Sequence, residues 1–103
     1  MGYFRVSNSA SQDLDDVWEY IAAANIDAAD RLIERFYETF QQLSEFPNLG
    51  HKRRDIGERP LLFCAVGSYE VVYRVFPGFV EIDAVLHGSR DVPEVLRERE
   101  PEQ

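Results

Sequence analysis

Apolar and polar positions along the chain change their period near residue 47. Before it the period is helical. Leu14, Val17, Trp18 and Ile21 stand at i, i+3, i+4 and i+7, and Ala29, Leu32, Ile33, Phe36, Phe40 and Leu43 form a second, longer stripe. Ser9 and Gln12 have the spacing of a capping box for the first helix. Asn25 reads as the residue that ends it, Asp27 as the cap of the second, and Pro47 as the stop near Phe46. So short a break makes the two an antiparallel hairpin. Ahead of them, residues 3–7 read as a short strand with Phe4 and Val6 on one face.

Beyond Pro47 the period falls to two. Residues 47–60 hold Pro47, Gly50, Gly57, Pro60 and a basic cluster, and read as an irregular connection. Residues 61–66 form a short apolar strand, and Gly67-Ser68 is a two-residue hairpin turn. Residues 69–76 alternate, with Val71, Tyr73 and Val75 on one face and Glu70, Val72 and Arg74 on the other. After the Pro77-Gly78 turn, Val80, Ile82, Ala84 and Leu86 alternate with Glu81, Asp83 and Val85. Two tight connections in succession predict a three-stranded antiparallel meander, and the helical hairpin is needed to cover its apolar face. Residues 92–103 predict a short helix and a frayed tail. The expected architecture is α+β: a helical hairpin on an antiparallel sheet, in the order β-α-α-β-β-β with a short C-terminal helix or tail. A chain of 103 residues fits this as a single domain over residues 1–103.

Composition adds three constraints. The chain is 45% hydrophobic and 13% aromatic, as a packed globular core requires. No apolar run approaches the roughly 20 residues of a membrane span, and no basic segment leads into an apolar one near Met1, so neither a membrane span nor an export signal is expected. The single cysteine, Cys64, allows no internal disulfide, and no Cys/His cluster has zinc spacing; both suit a cytoplasmic protein. Charge is the third constraint. Eleven Lys and Arg against nineteen Asp and Glu give −8. That balance argues against binding nucleic acid unaided, because phosphate neutralisation supplies much of such affinity. The charge is also polarised. Residues 9–46 are strongly acidic, whereas residues 47–90 hold Lys52, Arg53, Arg54, Arg59, Arg74 and Arg90.

These elements, with several local stretches, resemble the RelE/ParE class of type II toxin–antitoxin toxins. The stretches are Leu14-Asp15-Asp16-Val17-Trp18-Glu19-Tyr20-Ile21, Ala28-Ala29-Asp30-Arg31-Leu32, Phe46-Pro47-Asn48-Leu49-Gly50, Val72-Tyr73-Arg74 and Val85-Leu86-His87-Gly88-Ser89-Arg90-Asp91. The likeness runs from about Tyr3 to Pro93 and looks most like the ParE branch, which includes toxins of plasmid-stabilisation systems. The resemblance implies a toxin that poisons DNA gyrase by protein contact and is neutralised by a ParD-like antitoxin. It also implies how the antitoxin binds: an extended segment places a helix in an apolar groove and often a strand on the sheet. RelE-branch relatives instead cut messenger RNA on the ribosome. The acidic balance departs from what a typical toxin of the class would carry, so a module that only binds its antitoxin stays as a third reading.

Metal-free RNA cleavage needs a base for the 2′-hydroxyl, an acid for the leaving oxygen and cations at the phosphate. The candidates for that chemistry are His87 with Arg74 and Arg90. Each has a plainer reading. His87 fits a strand-end histidine bonding to backbone, with Asp91 near it; Arg74 fits a cross-strand partner of Glu81 or Asp83. No aromatic follows Phe79 and the tail is acidic, which favours the non-catalytic reading. For gyrase the expectation is a binding surface made of His51, Lys52, Arg53, Arg54, His87 and Arg90. Trp18, Phe36, Phe40, Cys64 and Tyr73 stand at core spacing. Asp13, Asp15 and Asp16 diverge around a helix axis, so no metal site is expected, and no cofactor.

Overall fold

The computed structural model describes residues 2–99. Its elements are β1 (Phe4–Val6), α1 (Asn8–Ala22), α2 (Ile26–Glu45), β2 (Leu62–Val66), β3 (Tyr69–Phe76), β4 (Phe79–His87) and α3 (Val92–Glu98), with 3-10 turns at Pro47–Leu49 and Arg54–Ile56. No described helix is long and apolar enough to cross a membrane.

The helical hairpin forms where the stripes place it, but its caps differ from those expected. Ser7, not Ser9, caps α1: its hydroxyl accepts from the Ala10 N–H at 3.1 Å. Ser7 is the residue that leaves β1, its own N–H donating to Ile82, so it keeps the extended backbone a cap requires. Asn25 caps α2 rather than closing α1, accepting from the Ala28 N–H at 3.0 Å, and Asp27 falls within the first turn. Ala10, Leu14 and Val17 of α1 are buried, as are Ala29, Phe36, Phe40 and Leu43 of α2. Trp18 is only half-buried. Its indole N–H donates to Asp30 at 2.8 Å, clasping the two helices at their surface.

The sheet order is β1-β4-β3-β2. The expected antiparallel pairing holds for the meander β2-β3-β4, but β1 lies parallel to β4, with Phe4 opposite Val80 and Val6 opposite Ile82. The sheet is therefore mixed. Two helices intervene between β1 and the meander, and a crossover of that length lets the strands run in the same direction.

One bulge changes the faces of β4. The register passes from Val72↔Ala84 to Tyr73↔Ile82, leaving Asp83 as an extra residue. Strict alternation put Val80, Ile82, Ala84 and Leu86 on one face. Instead Val80, Ile82 and Val85 join the core beneath the helices, while Ala84 and Leu86 join a second core on the opposite face. There α3 covers the sheet, with Val92, Val95 and Leu96 buried against Leu61, Phe63 and Val72. Asp91 caps α3 through Glu94 N–H. The frayed part expected after it, residues 100–103, lies outside the described residues.

The Phe46-Pro47-x-x-Gly50 stretch closes over Tyr73. Its hydroxyl donates to Pro47 O at 2.6 Å and accepts from the Gly50 N–H at 2.8 Å. A Cβ on Gly50 would come within 2.4 Å of that hydroxyl oxygen, so this close approach requires glycine.

Candidate functional site

The residues singled out from the sequence fall into three places. His87 and Arg90 line an open cleft of about 430 Å³ between α1 and the end of the β3–β4 ladder. Its walls include Val17, Tyr20, Tyr69 and Val85. His51, Lys52, Arg53 and Arg54 lie beside the outer edge of the sheet, where the His51 backbone bridges to Phe63 of β2. Arg74 lines a third region, a cleft of about 380 Å³ with Ser7, Ser9, Arg59, Leu61, Glu81, Asp83, Leu96 and Arg99.

In the first cleft, His87 is exposed and stands edge-on to Tyr69, ring centroids 5.2 Å apart. Its Nδ1 lies 2.7 Å from the Ser89 hydroxyl and accepts from the Ser89 N–H at 3.1 Å. The neighbour is Ser89 rather than the expected Asp91, which is committed to capping α3. Among the described residues no carboxylate is hydrogen-bonded to this imidazole. Arg90 is exposed and, among the described residues, pairs with no carboxylate through its side chain. Tyr20, 78% exposed, adds an aromatic rim from α1.

Beside the sheet edge, Arg53 is held by Asp55, Nε to Oδ1 at 3.0 Å, with its guanidinium over the Phe63 ring. The hydrogen bond from Arg53 holds the Asp55 carboxyl below its ordinary range. His51, Lys52 and Arg54 are exposed.

Arg74 is fully engaged with β4. Its Nε donates to Asp83 and its Nη2 to Glu81, each at 2.7 Å, and Arg5 of β1 pairs with the same Glu81. The bulge at Asp83 makes this possible, since both carboxylates then reach one guanidinium. Burial pushes Asp83 up to about 6, with the hydrogen bond to Glu81 adding to the rise. Glu81 is drawn down to about 2, first by its bond with Asp83 and then, against burial, by those from Arg5 and Arg74. Two carboxylates this close take up one proton before the other, so the values belong to the pair.

Arg74 and His87 do not converge. Arg74 stands opposite Glu81 and His87 stands opposite Tyr69, five residues away along β3, about 17 Å at roughly 3.3 Å per residue. The trio His87, Arg74 and Arg90 is thus split between two clefts.

Asp13, considered from the sequence only as a metal ligand, and Arg99, which that reading passed over, are central to the site's frame. Asp13 is buried; its carboxylate accepts from both Nη atoms of Arg99, at 2.8 and 2.7 Å, and from Val85 N–H at 2.9 Å. β1 ends opposite Ile82, so Val85 has no strand on that side and a side chain must satisfy its amide. Neither local spacing nor charge count marks this contact, because its partners are distant in sequence. Among the described residues no three His, Cys, Asp or Glu side chains gather as metal ligands.

Residues 4–92 match the model of a family described as the ParE toxin of the type II toxin–antitoxin system parDE. Toxin ParE1 of Caulobacter vibrioides is 35% identical over 89 residues, covering 84% of this chain and 88% of that protein. A putative toxin, Y4kP, of Sinorhizobium fredii is 32% identical over 87 residues, with the same two coverages. Among solved structures, the chromosomal ParDE system from P. aeruginosa shares the fold, with a TM-score of 0.69 at 17% identity over 84% of this chain and 96% of that one. The RelBE2 toxin–antitoxin complex of Mycobacterium tuberculosis superposes with a TM-score of 0.55 at 26% identity, over the same shares. With the family match spanning nearly the whole chain and two curated relatives above 30% identity, this chain belongs to the ParE toxin family of type II toxin–antitoxin systems.

Proposed function

We propose that this toxin acts in the cytoplasm as a single domain, inhibits DNA gyrase by binding it, and is held in check by a ParD-like antitoxin. The observation that carries the contact mechanism is the separation of the ribonuclease candidates. Arg74 is neutralised by Glu81 and Asp83 in one cleft, while His87 lies in another with only Ser89 on its Nδ1. General acid–base cleavage needs those groups within hydrogen-bond reach of one phosphate. Exposed Tyr20, His87 and Arg90 instead line one open cleft together with Asp16, and tyrosine and arginine are residue types that anchor protein interfaces. The 51–54 cluster, on another part of the surface, is a second contact region in this reading.

Expression of the chain without an antitoxin tests the mechanism. Growth arrest accompanied by DNA-damage signalling is the expected result. Arrest with messages cut at ribosomes would favour the RelE-like alternative, which the 26% identical RelBE2 structure keeps in view. Undisturbed growth at full expression would favour the inactive antitoxin-binding module.

A further inference from the structure

The turn that follows β4 brings a hydroxyl and an imidazole together at the cleft beside α1. Nδ1 of His87 accepts the backbone N–H of Ser89 at 3.1 Å, and an amide N–H can only donate. Nδ1 is therefore the bare nitrogen of this imidazole, with the ring proton on Nε2. The Ser89 hydroxyl, 2.7 Å from the same Nδ1, must then be the donor of its bond. Tyr69 holds the ring from another side, edge-on at 5.2 Å between centroids. A hydroxyl that donates to a base of fixed orientation is the arrangement that activates a serine. The surroundings suit an acyl group. Ser89 opens on the cleft of about 430 Å³, whose apolar wall is Val17, Tyr20, Tyr69 and Val85. The carboxylates of that lining are engaged elsewhere, Asp13 with Arg99 and Asp16 with Gln12. A hydrolase that turns over needs more than this. The N–H groups of Gly88, Ser89 and Arg90 are spent on Ser68 O, His87 Nδ1 and His87 O, at 2.8, 3.1 and 3.0 Å. No amide of this turn is left to hold an oxyanion, so an acyl-serine formed here persists.

We propose that Ser89 is an acyl-acceptor site, a hydroxyl activated by His87 that takes an acyl group from an activated ester or thioester and keeps it. Ser89 Oγ attacks the carbonyl carbon of the donor and a new O–C bond forms. The bond from that carbon to its leaving oxygen or sulfur breaks, and the leaving group departs with the electron pair. His87 Nδ1 takes the hydroxyl proton and releases it to solvent. Only a base and a nucleophile are required, and these two are in contact. RNA cleavage would demand an acid and cations at one phosphate as well, which the separation of Arg74 from His87 denies it. The modification falls beside Tyr20 and Arg90, on the surface assigned above to target contact. Its chemistry is read on the chain itself, so it stands or falls independently of gyrase inhibition.

Reaction of the purified chain with p-nitrophenyl acetate tests this, with release of p-nitrophenolate followed by absorbance and the acetyl group located by peptide mass spectrometry. A burst of about one equivalent per chain is expected, with the acetyl on Ser89. Ser89→Ala should abolish the burst. His87→Asn separates a base from a mere turn former: its side-chain oxygen still accepts the Ser89 N–H, as in an Asx-turn, but takes up no proton. Acetylation of Ser89 in that variant should slow about 10²-fold at an unchanged melting temperature. The proposal is overturned if the acetyl falls only on Lys52 or other amines. It is overturned equally if Ser89→Ala keeps the burst, which would make the imidazole itself the nucleophile, or if His87→Asn is acetylated at Ser89 as fast as the parent.

Discussion

At Asp13 one carboxylate meets two needs that lie 72 and 86 residues away along the chain. It satisfies the amide of Val85 where β1 stops short, and it fixes Arg99 at the end of α3. Removing it leaves a buried N–H and an uncompensated guanidinium together. Asp13→Ala is expected to cost about 2–4 kcal/mol in urea unfolding, with Asp13→Asn costing less because its amide oxygen still accepts from Val85. Equal stability of the alanine variant and the parent would show that the contact carries no such weight. Arg90 is the opposite case. It is exposed and pairs with no carboxylate among the described residues, so Arg90→Glu should leave stability within about 0.5 kcal/mol while abolishing gyrase inhibition, measured as residual supercoiling. Arg74 was readable from the sequence because cross-strand neighbours on a meander can be counted. Asp13 was not, since nothing local announces a partner at the far end of the chain.

Among the elements, the helices were legible because two unbroken apolar stripes each define one buried face. Their starts were less so: Ser7 and Ser9 are both good caps, and the choice depends on Ser7 pairing with Ile82. The direction of β1 and the bulge in β4 lie outside what period-two alternation can convey. That bulge places Asp83 beside Glu81 and creates the coupled pair, with consequences for stability. Asp83, raised above its ordinary value to about 6, contributes stability that is present at acid pH and lost as pH rises through about 6. Glu81, lowered to about 2, contributes stability that is present above its ordinary value and lost as pH falls through about 2. From this pair alone, stability should be greatest between about pH 4 and 5. Melting temperatures of the parent and Asp83→Asn across pH check this: the variant should gain on the parent from about pH 5 to about pH 7.5. A constant difference would contradict the coupling.

On the scale of the whole molecule, charge is sorted by layer. The helical hairpin carries nine of the nineteen acidic residues but only Arg31 and Arg35 of the eleven basic ones, whereas other guanidiniums lie on the α3 face of the sheet and along its β2 edge, with Arg90 at the His87 end. A chain of net −8 can thus present local cationic surfaces to a macromolecule while long-range repulsion is screened beyond about 8 Å at physiological salt. The family was legible in the sequence through the joint order of its stretches. Its mode of action depends on which side chains meet in space, and here the split between Arg74 and His87 decides the reading. The most direct measurement is a supercoiling assay with purified chain and gyrase. Inhibition at stoichiometric excess, relieved by a ParD-like antitoxin, is the predicted result. Full supercoiling in the presence of excess active toxin, with messenger RNA cleaved in a parallel translation reaction, would contradict the account.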